Sequence, residues 1–188
     1  MAGIEWHTSM IYARDSSWTE KKPILLDFFN PDSVGCKHMD KETYTQERVV
    51  KFVNDHLVPL RLDHEDKPFS RDYNLIWTPT LIILDQDGRE YQRSLGFQPP
   101  EELVPNLMLG VAKVYFSLKN YNAAKLHLDE VLNQYPESGS APEAVYFLGV
   151  NQFKHKDDPA ELRKMYESLQ EKYPDSRWTK SAAPFRNL

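Results

Sequence analysis

The sequence predicts an α/β first half, a central mixed sheet flanked by helices, followed by an all-α segment of helical repeats. Three observations carry this. Two short apolar runs, residues 23–29 and 79–84 (PTLIIL), read as strands buried on both faces, with amphipathic helical spacing between them. Asp85-Gln86-Asp87-Gly88 follows the second run as a hairpin turn, with Gly88 placed for positive φ. Further on, Tyr135-Pro136-Glu137-Ser138 returns as Tyr173-Pro174-Asp175-Ser176, thirty-eight residues later, each copy behind an amphipathic helix. The expected domains are residues 1–104, with an N-terminal helical extension, and residues 105–188.

The elements follow in order. Trp6 and Ala13 lie in a helix-like leader that ends at Lys21-Lys22-Pro23. Residues 23–29 form the first strand, interrupted by one polar residue, Asp27, whose burial is costly without a partner or a task. Met39, Val49, Val50, Phe52, Val53 and Leu57 recur at helical spacing, which predicts a helix from Val34 or Gly35 to His56, kinked near Tyr44-Thr45. Residues 58–63 alternate as a strand, residues 68–75 make a short helix, and residues 79–84 the second buried strand. Residues 90–95 are the return strand, and a helix opens at Pro99-Pro100-Glu101-Glu102. After Pro105 the pattern is helical throughout, with helices over 107–118, 123–134, 142–154 and 160–172. Residues 177–188, with Trp178 and Phe185, either cap the last helix or fray.

The stretch ILLDFFNPDSVGCKHM, residues 24–39, has the pattern of a strand, a turn and a helix that begins at a redox centre. A dithiol pair works because one exposed thiolate attacks a disulfide and its neighbour resolves the mixed intermediate. Cys36 is the single thiol of the chain, and Ser33 stands three residues before it. A serine hydroxyl at neutral pH performs neither step.

These residues resemble the thioredoxin-like family over roughly residues 20–110. The family's buried aspartate lies six residues before its attacking cysteine, as Asp27 lies six before Ser33. Its second cysteine, usually followed by lysine, corresponds to Cys36-Lys37. Its cis-proline loop ends a Tyr-x-hydrophobic-x-x-x-Pro-Thr string, matched by Tyr73 to Thr80. Gly96 sits where the family has a glycine after its last strand. The leader resembles a subgroup with an N-terminal helical extension. Asp32 replaces the usual aromatic residue, Val34-Gly35 replaces Gly-Pro, and single-cysteine glutaredoxins lose the other cysteine, so their glutathione chemistry does not transfer. The second half resembles tetratricopeptide repeats, with Tyr115, Tyr121, Ala124 and Leu128 at suitable positions and a looser second copy around residues 155–159.

The resemblance implies a site. Ser33, Cys36 and Asp27 take the catalytic positions, and Trp77, Thr78, Pro79 and Gly96 those that hold a substrate. In a dithiol relative residue 33 attacks, Cys36 resolves, and Asp27 assists proton transfer. Cys36 is either a buried structural thiol or a slowly reactive one, since a helix start lowers a thiol pKa and burial raises it. Ser33 is an engineered replacement, a natural loss that left a binding module, or a donor to a Cys36 thiolate or sulfenate. Without a partner thiol, Asp27 reads as an inherited carboxylate bonded to the Ser33–Cys36 turn or to water. A cis Thr78-Pro79 bond would expose the preceding backbone to an extended peptide, with Trp77 either contacting that peptide or packed under the loop.

Composition excludes several classes. A net charge of −5 leaves no basic surface for nucleic acid or anionic membranes. No apolar run is long enough to span a bilayer. Cys36-Lys37-His38 lacks a second ligand pair, so neither a metal nor another cofactor is expected. Glu5, His7, Arg14 and Asp15 interrupt any secretory core in the first twenty residues, which makes the cytoplasm the default location. The expected partners are a protein or peptide substrate at the Ser33/Pro79 face and a partner protein on the repeats. The expectation is a thioredoxin-like oxidoreductase type with little reductase activity. The alternative is a non-enzymatic adaptor whose first half is only a platform for the repeats.

Overall fold

The computed structural model describes residues 3–188. The chain divides into two compact units, Met1–Leu107 and Met108–Leu188. In the first unit the elements run α1 (Met10–Glu20), β1 (Ile24–Phe29), α2 (Val34–His38), α3 (Glu47–His56), β2 (Val58–Asp63), α4 (Phe69–Asp72), β3 (Thr80–Leu84) and β4 (Glu90–Leu95). The sheet order is β2-β1-β3-β4. β1 pairs parallel with β2 and antiparallel with β3, and β3 pairs antiparallel with β4. A mixed sheet of this kind needs a helical crossover between β1 and β2, and α2 and α3 supply it.

Side chains alternate across a strand, so β1 divides its residues between two faces. Ile24, Leu26 and Phe28 join Val58, Leu60, Leu62, Ile82 and Leu84 in one core, closed by Met10 and Ala13 of α1. Leu25 and Asp27 point to the opposite face, and both are buried. Burial on both faces explains why β1 and β3 are almost continuously apolar. β4 is largely half-exposed, which suits an edge strand. His7 adds an isolated parallel bridge to Leu60 at the other edge, a pairing that the sequence pattern did not announce.

The long helix expected over residues 34–56 is divided. α2 runs into a π-helical turn, Met39–Thr43, and α3 begins at Glu47. The break falls at the predicted kink, and the π turn seats Met39 and Thr43 in the core. The short helix is Phe69–Asp72, narrower than residues 68–75, because Pro68 precedes it and Asn74 has left-handed φ of 50°.

Helix α5, Pro100–Ser117, is continuous, where the sequence suggested a new helix after Pro105. Pro105 lies in the second turn and forfeits a single hydrogen bond, to the Glu101 carbonyl, which the helix tolerates this close to its start. In the second unit α6 (Tyr121–Gln134), α7 (Ala141–Lys156), α8 (Ala160–Lys172) and α9 (Arg177–Ala182) follow, and a 3-10 turn covers Ala183–Asn187. Val145, Leu162, Met165, Leu169 and Ala182 form its core, with Trp178 and Phe185 packed against it, so the C-terminal segment caps rather than frays. The Tyr173 hydroxyl donates to the Pro136 carbonyl at 2.7 Å, linking the two Tyr-Pro motifs of the repeat.

At Gly149 the helices α7 and α8 approach closely. A Cβ added there would overlap the Met165 Cβ, an atom that cannot swing aside. Gly149→Ala is therefore expected to lower unfolding stability by about 1–3 kcal/mol, the usual cost of overpacking. Chemical denaturation of both proteins measures it.

Candidate functional site

Ser33 is the N-cap of α2. Its φ and ψ of −67° and 124° leave the helix, and its Oγ accepts the Cys36 N–H at 3.3 Å. The same hydroxyl donates to the Thr78 carbonyl oxygen at 3.1 Å. This bond ties the start of α2 to the loop before β3, where the Thr78–Pro79 peptide is cis. Nearby in sequence, Gly35 packs on that loop: a Cβ there would lie 2.9 Å from the Pro79 Cδ, so only glycine allows the approach. Gly96, at φ 82°, donates its N–H to the Pro79 carbonyl at 2.8 Å.

Ser33, Trp77, Thr78, Pro79 and Gly96 line one open cavity of about 710 Å³, joined by Val34, Ile76 and Phe97. Val34, Ile76 and Trp77 are 69%, 77% and 67% exposed. Trp77 is thus at the cavity's rim and not packed beneath the loop. Apolar side chains held in solvent around a concavity mark a contact surface for another molecule.

Cys36 and Asp27 do not line this cavity. Cys36 is 1% exposed, and its Sγ accepts the Asn30 N–H at 3.4 Å. The Ser33 hydroxyl donates to the Thr78 carbonyl and accepts the Cys36 N–H, and no hydrogen bond joins it to the Cys36 sulfur among the described residues. An alkylating agent is expected to label Cys36 slowly in the native protein and at the rate of a free thiol once denatured. Timed labelling with and without denaturant checks this.

Asp27 is 1% exposed, and its partners are not those expected. Neither Ser33 nor Cys36 reaches it. Tyr44 donates its hydroxyl to Asp27 Oδ2 at 3.1 Å, and Arg61 Nε lies 3.1 Å from the same oxygen, close enough for charge pairing although its N–H makes no hydrogen bond. Arg61 sits opposite Asp27 in the β1–β2 register. Its guanidinium also pairs with Asp40 at 2.8 Å and lies 4.4 Å from the Phe29 ring centre and 5.8 Å from those of Trp6 and Tyr44. Asp27 Oδ1 is buried with no hydrogen-bond partner among the described residues. Burial lifts the Asp27 carboxyl from 3.8 to about 6, against the opposing pull of Arg61 and of the Tyr44 hydroxyl. Burial likewise raises the Tyr44 hydroxyl, and the adjoining carboxylate adds to the rise.

Arg61, Tyr44 and Asp40 were missed by sequence reasoning. The one available signal was Arg61 itself, a charge inside an otherwise apolar strand, as Asp27 is in β1. Among the described residues no group of three or more His, Cys, Asp or Glu is placed to hold a metal ion, and no helix is long and apolar enough to cross a membrane.

A model of the thioredoxin-like domain matches residues 14–108, half of the chain. The chain belongs to the thioredoxin-like family. Residues 107–138 and 143–176 each match a tetratricopeptide repeat. A thiol:disulfide interchange protein, DsbD, of Ralstonia nicotianae is 30% identical over 100 residues, which are 49% of this chain and 16% of that protein. DsbD of Escherichia coli strain K12 is 27% identical over 92 residues, 46% of this chain and 16% of that one. This thioredoxin-like chain thus spans about a sixth of the length of these curated relatives. Among solved structures, a candidate disulphide-isomerase of Bacteroides thetaiotaomicron superposes with a TM-score of 0.53 at 26% identity, covering 58% of this chain and 93% of that one. A thioredoxin of Thermus thermophilus gives 0.51 at 17% identity, covering 56% and 85%, a likeness of fold.

For this thioredoxin-like protein the raised Asp27 carboxyl has a consequence for stability. Because the folded value exceeds the unfolded one, the group's contribution is full below about pH 4 and is lost as pH rises through about 6. Asp27→Asn removes this dependence. The stability difference between variant and wild type should therefore shift in the variant's favour by about 2 kcal/mol between about pH 4 and pH 7. Denaturant titrations at several pH values give that slope, whatever constant offset the loss of the Arg61 pairing adds.

Proposed function

We propose that this protein works as a binding member of the thioredoxin-like family. It recognises protein segments at the Ser33/Pro79 groove and has little disulfide reductase activity as it stands. The observation that carries the reading is the pairing of Ser33: its hydroxyl occupies the attacking position, and its proton is committed to the Thr78 carbonyl. The sole thiol, Cys36, is buried behind it. Among the described residues no carboxylate or imidazole hydrogen-bonds the Ser33 hydroxyl, which leaves it without a paired general base.

The rim of Val34, Ile76 and Trp77 favours a protein or peptide partner, because it offers apolar contact beside free backbone donors. The N–H groups of Ile76, Trp77 and Thr78 have no partner among the described residues. An extended segment can dock there by backbone pairing, with its side chains alternating into and out of the cavity. The tetratricopeptide repeats supply a second surface for a partner protein. The kinship with thiol:disulfide interchange proteins supports an origin in dithiol chemistry. With cysteine in place of Ser33, the new thiolate would attack a substrate disulfide and release one substrate thiol, and Cys36 would resolve the mixed disulfide, releasing the other and closing a disulfide between positions 33 and 36.

Restoring the thiol tests this. Wild type is expected to leave insulin reduction by dithiothreitol at its uncatalysed rate, and Ser33→Cys to accelerate the precipitation well above that rate. A folded Ser33→Cys protein with two free thiols and no activity would sink the redox origin and favour the adaptor reading. Reduction by wild type at the rate of the variant would sink the binding reading.

A further inference from the structure

The loop before β3 has an uneven supply of hydrogen-bonding groups. Three consecutive carbonyls are filled from within the chain. Thr80 Oγ1 donates to the Trp77 oxygen at 2.7 Å, Ser33 Oγ to that of Thr78 at 3.1 Å, and the Gly96 N–H to that of Pro79 at 2.8 Å. The N–H groups of Ile76, Trp77 and Thr78 are unpaired among the described residues, and Pro79 has none to offer. An ordinary strand edge presents donors and acceptors in alternation. From Trp77 to Pro79 this edge presents donors alone.

Two of the three filled carbonyls owe their state to neighbours on the same strand or in the sheet. The third, that of Thr78, is filled by a side chain forty-five positions away, at the one place where the family carries its attacking group. The bond is possible because Gly35 lets α2 press against Pro79 and because the cap geometry holds the Ser33 side chain over the loop. A thiol is a weak donor and would not hold it.

We propose that the Ser33 hydroxyl is a specificity-determining group of the groove. By filling the Thr78 carbonyl it makes residues 77–79 a donor edge, which selects extended segments through their carbonyl oxygens and gives little return for their N–H groups. The inference rests on the proposed binding function and deepens it. A carbonyl that already accepts a hydroxyl proton gains less from a second donor, so removing the hydroxyl opens an acceptor to the incoming backbone.

Ser33→Ala removes the bond and Ser33→Thr keeps it. Ser33→Gly removes it too, and because glycine is well tolerated at a helix N-cap it guards against a misfolded alanine variant. The probe is the S-carboxymethylated insulin B chain, an extended polypeptide that cannot form a disulfide, with binding followed by fluorescence anisotropy. Ser33→Ala and Ser33→Gly should bind it roughly 3- to 10-fold more tightly than wild type, the worth of one backbone hydrogen bond, and Ser33→Thr should match wild type. In the free proteins, the Thr78 carbonyl carbon resonance should move in the alanine and glycine variants, and the Cys36 amide should exchange faster. Equal or weaker binding by both of those variants, or an unmoved Thr78 resonance, overturns the inference and leaves the binding function standing. Failure of all four proteins to bind the probe overturns the binding function itself, and the inference with it.

Discussion

The candidate site depends on how closely the first turn of α2 is held against Pro79. Two contacts set that distance, one polar and one steric: the Ser33 hydroxyl bridges the Cys36 N–H and the Thr78 carbonyl, and Gly35 leaves no side chain between helix and loop. From them follow the burial of Cys36, the exposure of Ile76 and Trp77 at the rim, and the shape of the cavity. A helix start and a loop remote in sequence thereby act as one surface.

Beneath that surface lies a second polar centre of a different kind. Asp27 and Arg61 are charges placed inside strands that are otherwise apolar, and they face each other across the parallel pair. Their attraction is set against the cost of taking both from water, and the raised carboxyl shows that burial dominates. The rings of Phe29, Trp6 and Tyr44 around the guanidinium, together with Asp40, keep the cation partnered whatever the state of Asp27.

An oxygen at position 33 does what a sulfur does poorly. Oxygen is the better donor and acceptor, so Ser33 satisfies backbone groups on two elements at once. The side chain is thereby a structural tie between the first turn of α2 and the loop before β3.

Most of the first unit was legible in the sequence because its signals are local. Periods of two and of 3.6 residues mark strands and helices, Gly88 marks the hairpin, and the Tyr-Pro motif marks the repeat. The landmarks Asp27, Ser33, Cys36, Thr78, Pro79 and Gly96 stood at informative spacings, and Ser33, Thr78, Pro79 and Gly96 among them do meet at one cavity. Tertiary structure alone decided who touches whom. Periodicity shows that Asp27 is inward, but its partners Tyr44 and Arg61 come from a π turn and a neighbouring strand, and no spacing encodes that register. The same holds for Ser33 and Thr78, forty-five residues apart, whose meeting requires the sheet to bring the start of α2 and the end of the β3 loop to one edge. Local pattern determines which elements form and which face is buried; hydrogen-bond partners across the fold are settled only when those faces pack.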